Sequence, residues 1–503
     1  MNSVVKIFIF LMILSTSMAA KSQRVSVSHI KKNVIAHKSK KLSTLELWKF
    51  LSRQRIEKMD RKTKAYYFSV LSGFMEKKYP VASALYAYDA LSAIQRPMKI
   101  SIKKIDRVAS RYHLNHMMDE LVTTYSESTR VKSWKYYYGI SLEKKNNIRD
   151  AVKTFKSIPK NSRHYWPAQY RIALILVDQG RNNQALKILL KMRKEVVGGD
   201  FSDTEETRLV DLSSLTAARI FYEEKKFLQS IKLYRSISRD GLWFQDALSE
   251  QAWAFFMSGH PNHALGALHG AGSPFFDTYR PEDHVLQAIS YFWMCRYDQS
   301  RIALQSFIDN DRKVIVKLKT WLSKRRVSPM SAYRLFEDVL AGVSSSSLEL
   351  PRPLLQSAMN QPSMMAIRSQ LADALEERNR MQKDKIFKST RNQSIRRIMN
   401  WEKSLKQELG RQFITELKSL EKEYDGLNQQ VDFLMVELLM SEADQVLGKE
   451  LHSSLKFDNV SRRLKVQGWG RVNNQSWASD NKGEYWWDEV GYYIYQENSA
   501  CRE

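Results

Sequence analysis

Four histidines are the residues whose type and spacing could best support metal chemistry in this 503-residue chain. They are His260, His263, His269 and His284, and two histidines three positions apart can share one face of a helix and bind Zn²⁺. No Asp, Glu or Cys completes a ligand set at a fixed spacing around them. We therefore expect these histidines to be structural or solvated, and the protein to need no metal or other cofactor.

Sequence signatures of the large enzyme classes are missing, since the chain contains no GxxxxGK[ST], HExxH, GxSxG or CxxC. Asp488 and Glu489 form an acidic pair among aromatic residues, which would suit a glycan-active enzyme. Such an enzyme needs a catalytic acid in a compact domain, and no stretch after Asp309 has that character. We predict that the protein is not an enzyme, with a glycan-active enzyme kept as an alternative.

The two cysteines, Cys295 and Cys501, are too few for a disulfide framework. Cys295 lies in an apolar run with helical character, so its simplest interpretation is a small core residue. Pairing of the two in an oxidising compartment is the other interpretation, and the sequence leaves both open.

The N-terminus has the pattern of a cleaved export signal. Lys6 precedes the apolar run Ile7–Leu14, and Ser17 and Ala19 place small residues at the −3 and −1 positions of a cleavage site. The run is shorter than the roughly 20 residues of a membrane-spanning helix. We predict a signal peptide at residues 1–19 and a periplasmic protein, with secretion from the cell or an uncleaved anchor as alternatives.

The net charge of +26 is concentrated in the first part of the chain. Residues 21–200 contain 38 Lys and Arg against 14 Asp and Glu, whereas the rest is close to balanced. Such a concentration of positive charge attracts anions. Residues 20–43, at its start, are predicted to be a basic linker. In an exported protein the expected partners are an anionic membrane surface, a cell-wall polymer or acidic proteins, and no nucleic acid. A well-solvated helical surface is the plainer explanation.

Internal repeats organise the middle of the chain. Asn146–Pro159 is echoed by Gln179–Met192, and Lys225–Ile237 by Gly259–Ala271. Ala151 aligns with Ala185 and Ser230 with Ala264, both at an offset of 34 residues. Each unit is an aromatic-rich helix, a polar turn, and a second helix with a small residue followed four positions later by a bulky one. The small residue lets the paired helices approach closely and the bulky residue fills the space beside it. The predicted packing residues are Trp134, Tyr137, Ala151, Phe155, Pro159, Ala185, Leu189, Ser230, Tyr234, Ala264 and Leu268.

Within Trp134–Pro159 the pattern resembles the tetratricopeptide repeat (TPR) family. The match rests on Trp134, Tyr137, Ala151, Phe155 and Pro159, and later copies keep the small and bulky positions. The resemblance implies a helical solenoid over residues 44–341, with a concave face that binds an extended peptide or a partner helix.

A Gly- and Ser-rich break follows, so residues 342–362 are predicted to be a linker and 363–450 a helical, coiled-coil region. Apolar residues there alternate in steps of three and four, which is a heptad seam that pairs with a second helix. The seam residues are Leu417, Leu420, Tyr424, Leu427, Val431, Leu434 and Leu438. The alternative is an amphipathic helical hairpin folded back on itself.

Residues 451–503 contain four of the twelve Trp, and their aromatic and Gly-punctuated sequence favours short strands, with Leu464–Val472 pairing with a later run. This stretch resembles an aromatic C-terminal motif, EYW-x-DE-x-GYY, of exported repeat proteins of delta-proteobacteria, some of them linked to gliding-motility machinery. The matching residues, expected to bind a partner, are Glu484, Tyr485, Trp486, Asp488, Glu489, Gly491, Tyr492 and Tyr493. So many rings must be buried, either on the chain's own helices or on a partner.

These observations predict an all-α protein: a TPR-like helical-repeat solenoid, then a coiled-coil segment and a short aromatic tail with β character. The predicted function is that of an exported, non-enzymatic scaffold that binds other envelope proteins through the repeats and self-associates through the coiled coil. The alternative from another class is a cell-wall or envelope-polymer binding module that uses the basic N-terminal third and the aromatic tail.

Overall fold

The computed structural model describes residues 26–94, 105, 108, 115–124, 134–196, 203–324, 327–388, 393–447, 476–477, 485–488 and 490–501. These residues are mainly helical, which confirms the predicted all-α class. No helix in the described ranges combines the length and apolarity needed to cross a lipid bilayer. The predicted signal peptide, residues 1–19, lies outside the described residues.

The helices in chain order are α1 (Val27–Lys38), α2 (Thr44–Ser52), α3 (Arg61–Met75), α4 (Pro80–Ile94), α5 (Asn115–Thr124), α6 (Lys135–Lys144), α7 (Ile148–Lys156), α8 (Tyr165–Asp178), α9 (Asn182–Glu195), α10 (Asp203–Glu223), α11 (Phe227–Tyr234), α12 (Phe244–Met257), α13 (Pro261–Ala271), α14 (Pro281–Trp293), α15 (Tyr297–Ser306), α16 (Arg312–Ser323), α17 (Pro329–Leu340), α18 (Arg352–Met359), α19 (Pro362–Lys383), α20 (Lys385–Lys388) and α21 (Gln393–Val446). A π-helical turn, Phe307–Asp311, joins α15 to α16. Two short strands, β1 (Ser476–Trp477) and β2 (Ile494–Tyr495), pair in parallel.

The chain divides into two compact units. The first comprises Met1–Ser128 and Ser369–Leu405, and the second comprises Thr129–Arg368 and Lys406–Glu503. These units cut across the predicted domains, because residues 44–128 of the predicted repeat region belong to one unit and the later repeats to the other. Two predicted linkers also contain helices: α1 lies within residues 20–43 and α18 within 342–362.

In the first unit, residues beyond 369 pack on the early helices. The Trp48 ring lies 4.8 Å from the Phe387 ring, edge to face, and both side chains are buried. Arg397 binds both carboxylate oxygens of Asp89 at 2.9 Å. These contacts join segments about 300 residues apart in sequence, which no local pattern could have predicted.

Glu377 caps the N-terminus of α4 inside the first unit. Its two carboxylate oxygens accept hydrogen bonds from the backbone N–H groups of Val81 (2.9 Å) and Ala82 (2.6 Å). Those donors have no partner within the helix, so an acceptor must come from elsewhere. Burial raises the pKa of Glu377 to about 7, although the two donors act to lower it.

This pKa gives the first unit a pH-dependent stability. A carboxyl group whose pKa is raised on folding stabilises the fold below its ordinary pKa, and that contribution is lost as the pH rises through about 7. Between pH 5.5 and 8.5 the wild type is expected to lose on the order of 2 kcal/mol more unfolding free energy than Glu377→Gln, which has no charge to bury. Denaturant melts at several pH values measure the difference, and parallel pH profiles for the two proteins would contradict the assignment.

The second unit contains five consecutive helix hairpins, from α6–α7 to α14–α15, and each hairpin contacts the next. All five share one turn geometry. The first helix ends, and two residues later a residue with positive φ reverses the chain; these are Asn146, Gly180, Lys225, Gly259 and Cys295. In each, this residue's N–H bonds back three residues and the following N–H bonds back five, as Asn146 to Glu143 (2.9 Å) and Asn147 to Leu142 (2.9 Å) show. This is the Schellman arrangement, and its fivefold recurrence establishes the hairpins as structural repeats.

Most of the predicted packing residues are buried. Ala151, Ala185, Ser230 and Ala264, each in the second helix of its hairpin, are fully buried, and ten of the eleven predicted residues are buried, with Pro159 the exposed exception. The Ser230 hydroxyl donates to the Ala218 carbonyl (2.8 Å), and Ser300 repeats this contact with Ala288 (2.9 Å). The small residue therefore brings the second helix within hydrogen-bond distance of the first.

Contacts between residues one period apart link successive hairpins. Arg280 forms an ion pair with Asp246, 34 residues earlier, and Asp283 accepts a hydrogen bond from Ser249, also 34 residues earlier, at 2.9 Å. The periodicity found in the sequence thus corresponds to a physical contact between neighbouring repeats.

Gly139 provides a sharp test of hairpin packing. A Cβ added there would lie 2.4 Å from the Phe155 ring, whose side chain is fully buried and cannot withdraw. Gly139→Ala is therefore expected to destabilise the protein by about 1–3 kcal/mol in thermal or denaturant melts. Gly426→Ala is the matched control: it also lies inside a helix, but its Cβ would meet open space, so it should stabilise by up to about 1 kcal/mol. Equal effects of the two substitutions would refute the packing described here.

The seam predicted for a coiled coil is buried inside a single chain. All seven residues are at most 9% exposed: Leu417, Leu420, Tyr424, Leu427, Val431, Leu434 and Leu438. Within the second unit the Phe413 ring lies 5.9 Å from Phe336 of α17, and the Tyr424 ring lies 5.4 Å from Tyr279. The helical prediction for this region is correct, but the argument that the seam needs a second copy is wrong, because the chain's own helices cover it.

Salt bridges flank this buried seam. Lys319 binds Asp425 at 2.5 Å, Arg312 binds Asp432 at 2.6 Å, and Arg301 binds Glu442. The cations come from α15 and α16. These ion pairs, together with apolar packing, therefore fix the position of α21 along the two helices.

Candidate binding site at the docked tail

The C-terminal segment 485–488 and 490–501, here called the tail, lies along α13 and α14 of the second unit. Two glycines one helical turn apart on α13 make room for its backbone. A Cβ on Gly266 would lie 1.9 Å from the Tyr493 carbonyl oxygen, and one on Gly270 would lie 3.3 Å from the Gly491 nitrogen. Because no side chain stands at these positions, the tail backbone rests directly on the helix surface.

Apolar and polar contacts both fix the tail. Val490 and Tyr493 are buried in a small core with Phe244, Leu248 and Ala271. The Tyr493 hydroxyl also closes the tail's turn, because it accepts from the Trp486 N–H (2.8 Å) and donates to the Trp486 carbonyl (3.1 Å). Tyr493 thus links the two ends of the turn between residues 486 and 493, and its ring packs against the helices below the tail.

Beyond β2 the backbone N–H and carbonyl groups of the tail form hydrogen bonds with side chains of the repeats. Asn262 donates to the Glu497 carbonyl (2.9 Å) and accepts from the Glu497 N–H (3.1 Å). Arg296 donates to the Asn498 carbonyl (2.9 Å) and forms an ion pair with the Glu497 carboxylate at 3.3 Å. A disulfide between Cys295 and Cys501 closes this end.

The position of Cys295 corrects the expectation of a core residue in a helix. Cys295 has φ of +55° and lies in the turn between α14 and α15, where the other hairpins have Asn, Gly or Lys. The helix α14 ends at Trp293, although the apolar run that suggested a buried helix continues to Cys295. A turn position leaves the thiol accessible to Cys501, and the two cysteines are paired rather than separate.

The four histidines occupy three structural settings, because the His260 and His263 rings lie 5.6 Å apart and the other two are elsewhere. His260 and His263 lie at the start of α13, and burial lowers the pKa of His263 to about 4, so its ring is neutral near pH 7. His269 stacks on the Tyr485 ring at 4.5 Å, and His284 lies 2.7 Å from the Asp311 carboxylate, a contact that raises the His284 pKa. Among the described residues no three His, Cys, Asp or Glu side chains converge as a metal site would require.

The docked tail and the segment between α13 and α14 together present three aromatic side chains to solvent. Trp486 is 57% exposed, Trp487 39% and Phe275 47%, and the Trp487 ring lies 5.4 Å from the Phe275 ring. We call these three residues the aromatic patch. Trp487 is backed by Phe244 at 6.3 Å, and its carbonyl accepts from Arg239 at 3.2 Å, so the patch rests on an ordered base.

The predicted tail residues thus divide into two groups. Tyr485, Gly491 and Tyr493 attach the tail to its own chain, whereas Trp486 and Asp488 are exposed to solvent. Tyr492 is half-buried. Glu484, Glu489 and the predicted strand Leu464–Val472 lie outside the described residues. Sequence reasoning missed the supporting side of the site, including Gly266, Gly270, Asn262, Arg235 and Arg239; the spacing of the two glycines on one helix face was the signal available.

No protein-family model and no curated protein matches the chain, so the site is interpreted from its own geometry. Exposed Trp, Phe and Arg side chains on a rigid base are the residue types that dominate the energetics of protein–protein interfaces.

Proposed function

We propose that the protein is a non-enzymatic scaffold that binds partner proteins through the aromatic patch, with its helical repeats forming a TPR-like solenoid that carries this surface. The observation that carries the proposal is the patch itself. Two Trp side chains are kept in water although the tail that bears them is covalently and non-covalently fixed to the helices. When a partner covers an apolar surface that is already rigid, little conformational entropy is lost, and this favours binding.

Export to the periplasm is part of the same proposal. The Cys295–Cys501 disulfide supports it, since disulfides persist in oxidising compartments and are rare in the cytosol. The envelope proteins of that compartment are the expected partners.

Cleavage of the export signal is expected after Ala19, so the mature protein should begin at Ala20. N-terminal sequencing of protein purified from the envelope fraction tests this. Recovery of the main species as an intact cytoplasmic chain would contradict the proposed location.

Affinity capture tests the scaffold function directly. Full-length protein and the double variant Trp486→Ala with Trp487→Ala are used as baits on envelope extracts, and captured proteins are identified by mass spectrometry. Proteins held through the patch should be captured by the wild type and lost with the variant. Ile302→Ala with Val316→Ala is the matched control, because these exposed apolar residues lie elsewhere in the same unit. Identical captured sets from all three baits would refute the proposal.

Binding to an anionic cell-wall polymer is the second candidate, favoured by the excess of 38 basic over 14 acidic residues in residues 21–200. Salt separates the two candidates. Polymer binding through this charge should weaken steeply as ionic strength rises, whereas binding through the aromatic patch should persist. Cosedimentation with purified cell wall at low and high salt provides the measurement.

A further inference from the structure

A cleft beside the aromatic patch has the chemistry of an anion site. It opens between the end of α11, α12 and the tail, and is small. Helix residues and tail backbone share its walls, so the cleft exists only when the tail is docked. Its lining includes Arg235, Arg239, Gln251, Gly491 and Tyr492.

The described residues that line this cleft carry charge of one sign only. Arg235 and Arg239 contribute two guanidinium groups, and no acidic side chain lies among the lining residues that the structure describes. The Tyr492 ring lies 5.4 Å from the Arg235 guanidinium carbon and 5.3 Å from that of Arg239, so one ring positions both cations. Burial lowers the pKa of Arg235 to about 10, because desolvation disfavours its charged form.

Gln251 is an independent sign of a missing ligand. Its side chain is 2% exposed, and its Nε2 has no hydrogen-bond partner in the structure. A buried amide donor without an acceptor costs free energy, so native proteins seldom retain one. The unpaired donor and the two guanidinium groups line the same small cleft, and all three would donate to an acceptor-only group.

We propose that this cleft binds a carboxylate side chain, an Asp or Glu, of the partner polypeptide that covers the aromatic patch; this rests on the proposed function. Arg239 connects the two sites, since its side chain lines the cleft while donating to the Trp487 carbonyl. Phe244 connects them too, because it lines the cleft and contacts the Trp487 ring. The preferred ligand is therefore an acidic residue next to aromatic or aliphatic ones.

The test selects peptides without assuming a sequence. A random-heptapeptide phage library is panned against the full-length wild type, the double variant Arg235→Gln with Arg239→Gln, and the control Arg334→Gln, whose side chain is exposed on α17 in the same unit. Peptides selected by the wild type and the control should be enriched in Asp or Glu beside apolar residues. The cleft variant should keep the apolar enrichment and lose the acidic enrichment, and its affinity for a synthetic wild-type-selected peptide should fall at least about tenfold. Gln251→Leu should lower the affinity for the same peptide while leaving the melting temperature of the protein close to that of the wild type.

Each outcome bears on one proposal or the other. Acidic enrichment that survives in the cleft variant, or apolar enrichment without acidic residues, overturns the carboxylate site and leaves the patch function standing. No enrichment of any kind on the wild type overturns both. Competition with glutarate and inorganic phosphate identifies the anion: displacement of the selected peptide by glutarate supports the proposal, and displacement by phosphate alone overturns it.

Discussion

Gly266→Ala is expected to release the tail from α13 while leaving the repeats folded. The new Cβ would lie 1.9 Å from the Tyr493 carbonyl oxygen and 2.4 Å from its carbonyl carbon, and both atoms belong to backbone that cannot rotate away. The helix itself should gain slightly from alanine, so any loss comes from the tail. Amide hydrogen exchange at residues 490–497 should accelerate about 30- to 100-fold, since docking would weaken by roughly 2–3 kcal/mol.

The matched control for this experiment is Gly272→Ala, one residue beyond the same helix. A Cβ there meets its nearest atom at 3.4 Å, which is ordinary contact, and its backbone conformation suits any residue. Exchange at residues 490–497 should match the wild type in this variant. If Gly266→Ala also exchanged like the wild type, the tail would not lie where the structure puts it.

Leu420→Glu combined with Leu427→Glu is expected to unfold much of the second unit. Both side chains are buried in the wild type, so each substitution removes apolar burial and places a carboxylate in the core. The combined loss should be on the order of 5 kcal/mol, which approaches the whole stability of a typical domain. Circular dichroism melts and sedimentation measure stability and association in the same samples.

The control pair for this prediction lies on the opposite face of α21. Val436 and Met440 are 55% and 60% exposed, so Val436→Glu with Met440→Glu should change stability by no more than about 0.5 kcal/mol. If the wild type sedimented as a dimer and the Leu420 and Leu427 variant as a folded monomer, the seam would be an interface between copies, against its burial here.

How much of this structure could be predicted from the sequence depends on how far apart in the sequence the contacting residues lie. The hairpins were predictable, because Ala151 and Phe155 and their counterparts record contacts within one repeat or between adjacent repeats. The cover of the seam was not, because a heptad pattern specifies an apolar partner helix without specifying whose helix it is. The seven seam residues look the same whether other parts of the same chain or a second chain bury them.

The binding site shows the same limit more strongly. The aromatic residues of the tail marked its outer surface, and Trp486 was found in this way. Its base consists of Gly266, Gly270 and Asn262, which are distant in sequence and unremarkable in type. A glycine in a helix permits close approach of another backbone, but only the three-dimensional structure shows that Gly266 and Gly270 are used in this way and Gly426 is not. Cys295 was misjudged because a left-handed turn can accept residues other than Gly and Asn when the hairpin on either side fixes its geometry.

The difference in range also sets an order of assembly. Hairpin contacts such as Ser230 to Ala218 span 12 residues, whereas Asn262 to Glu497 spans 235 and the disulfide 206. Contacts between residues close in sequence close small loops and form early, and those between distant residues form late. The repeats can therefore reach their native form while the aromatic patch does not yet exist. Formation of the Cys295–Cys501 bond then marks, chemically, the molecules in which the surface has been completed, and thiol labelling can count these oxidised chains.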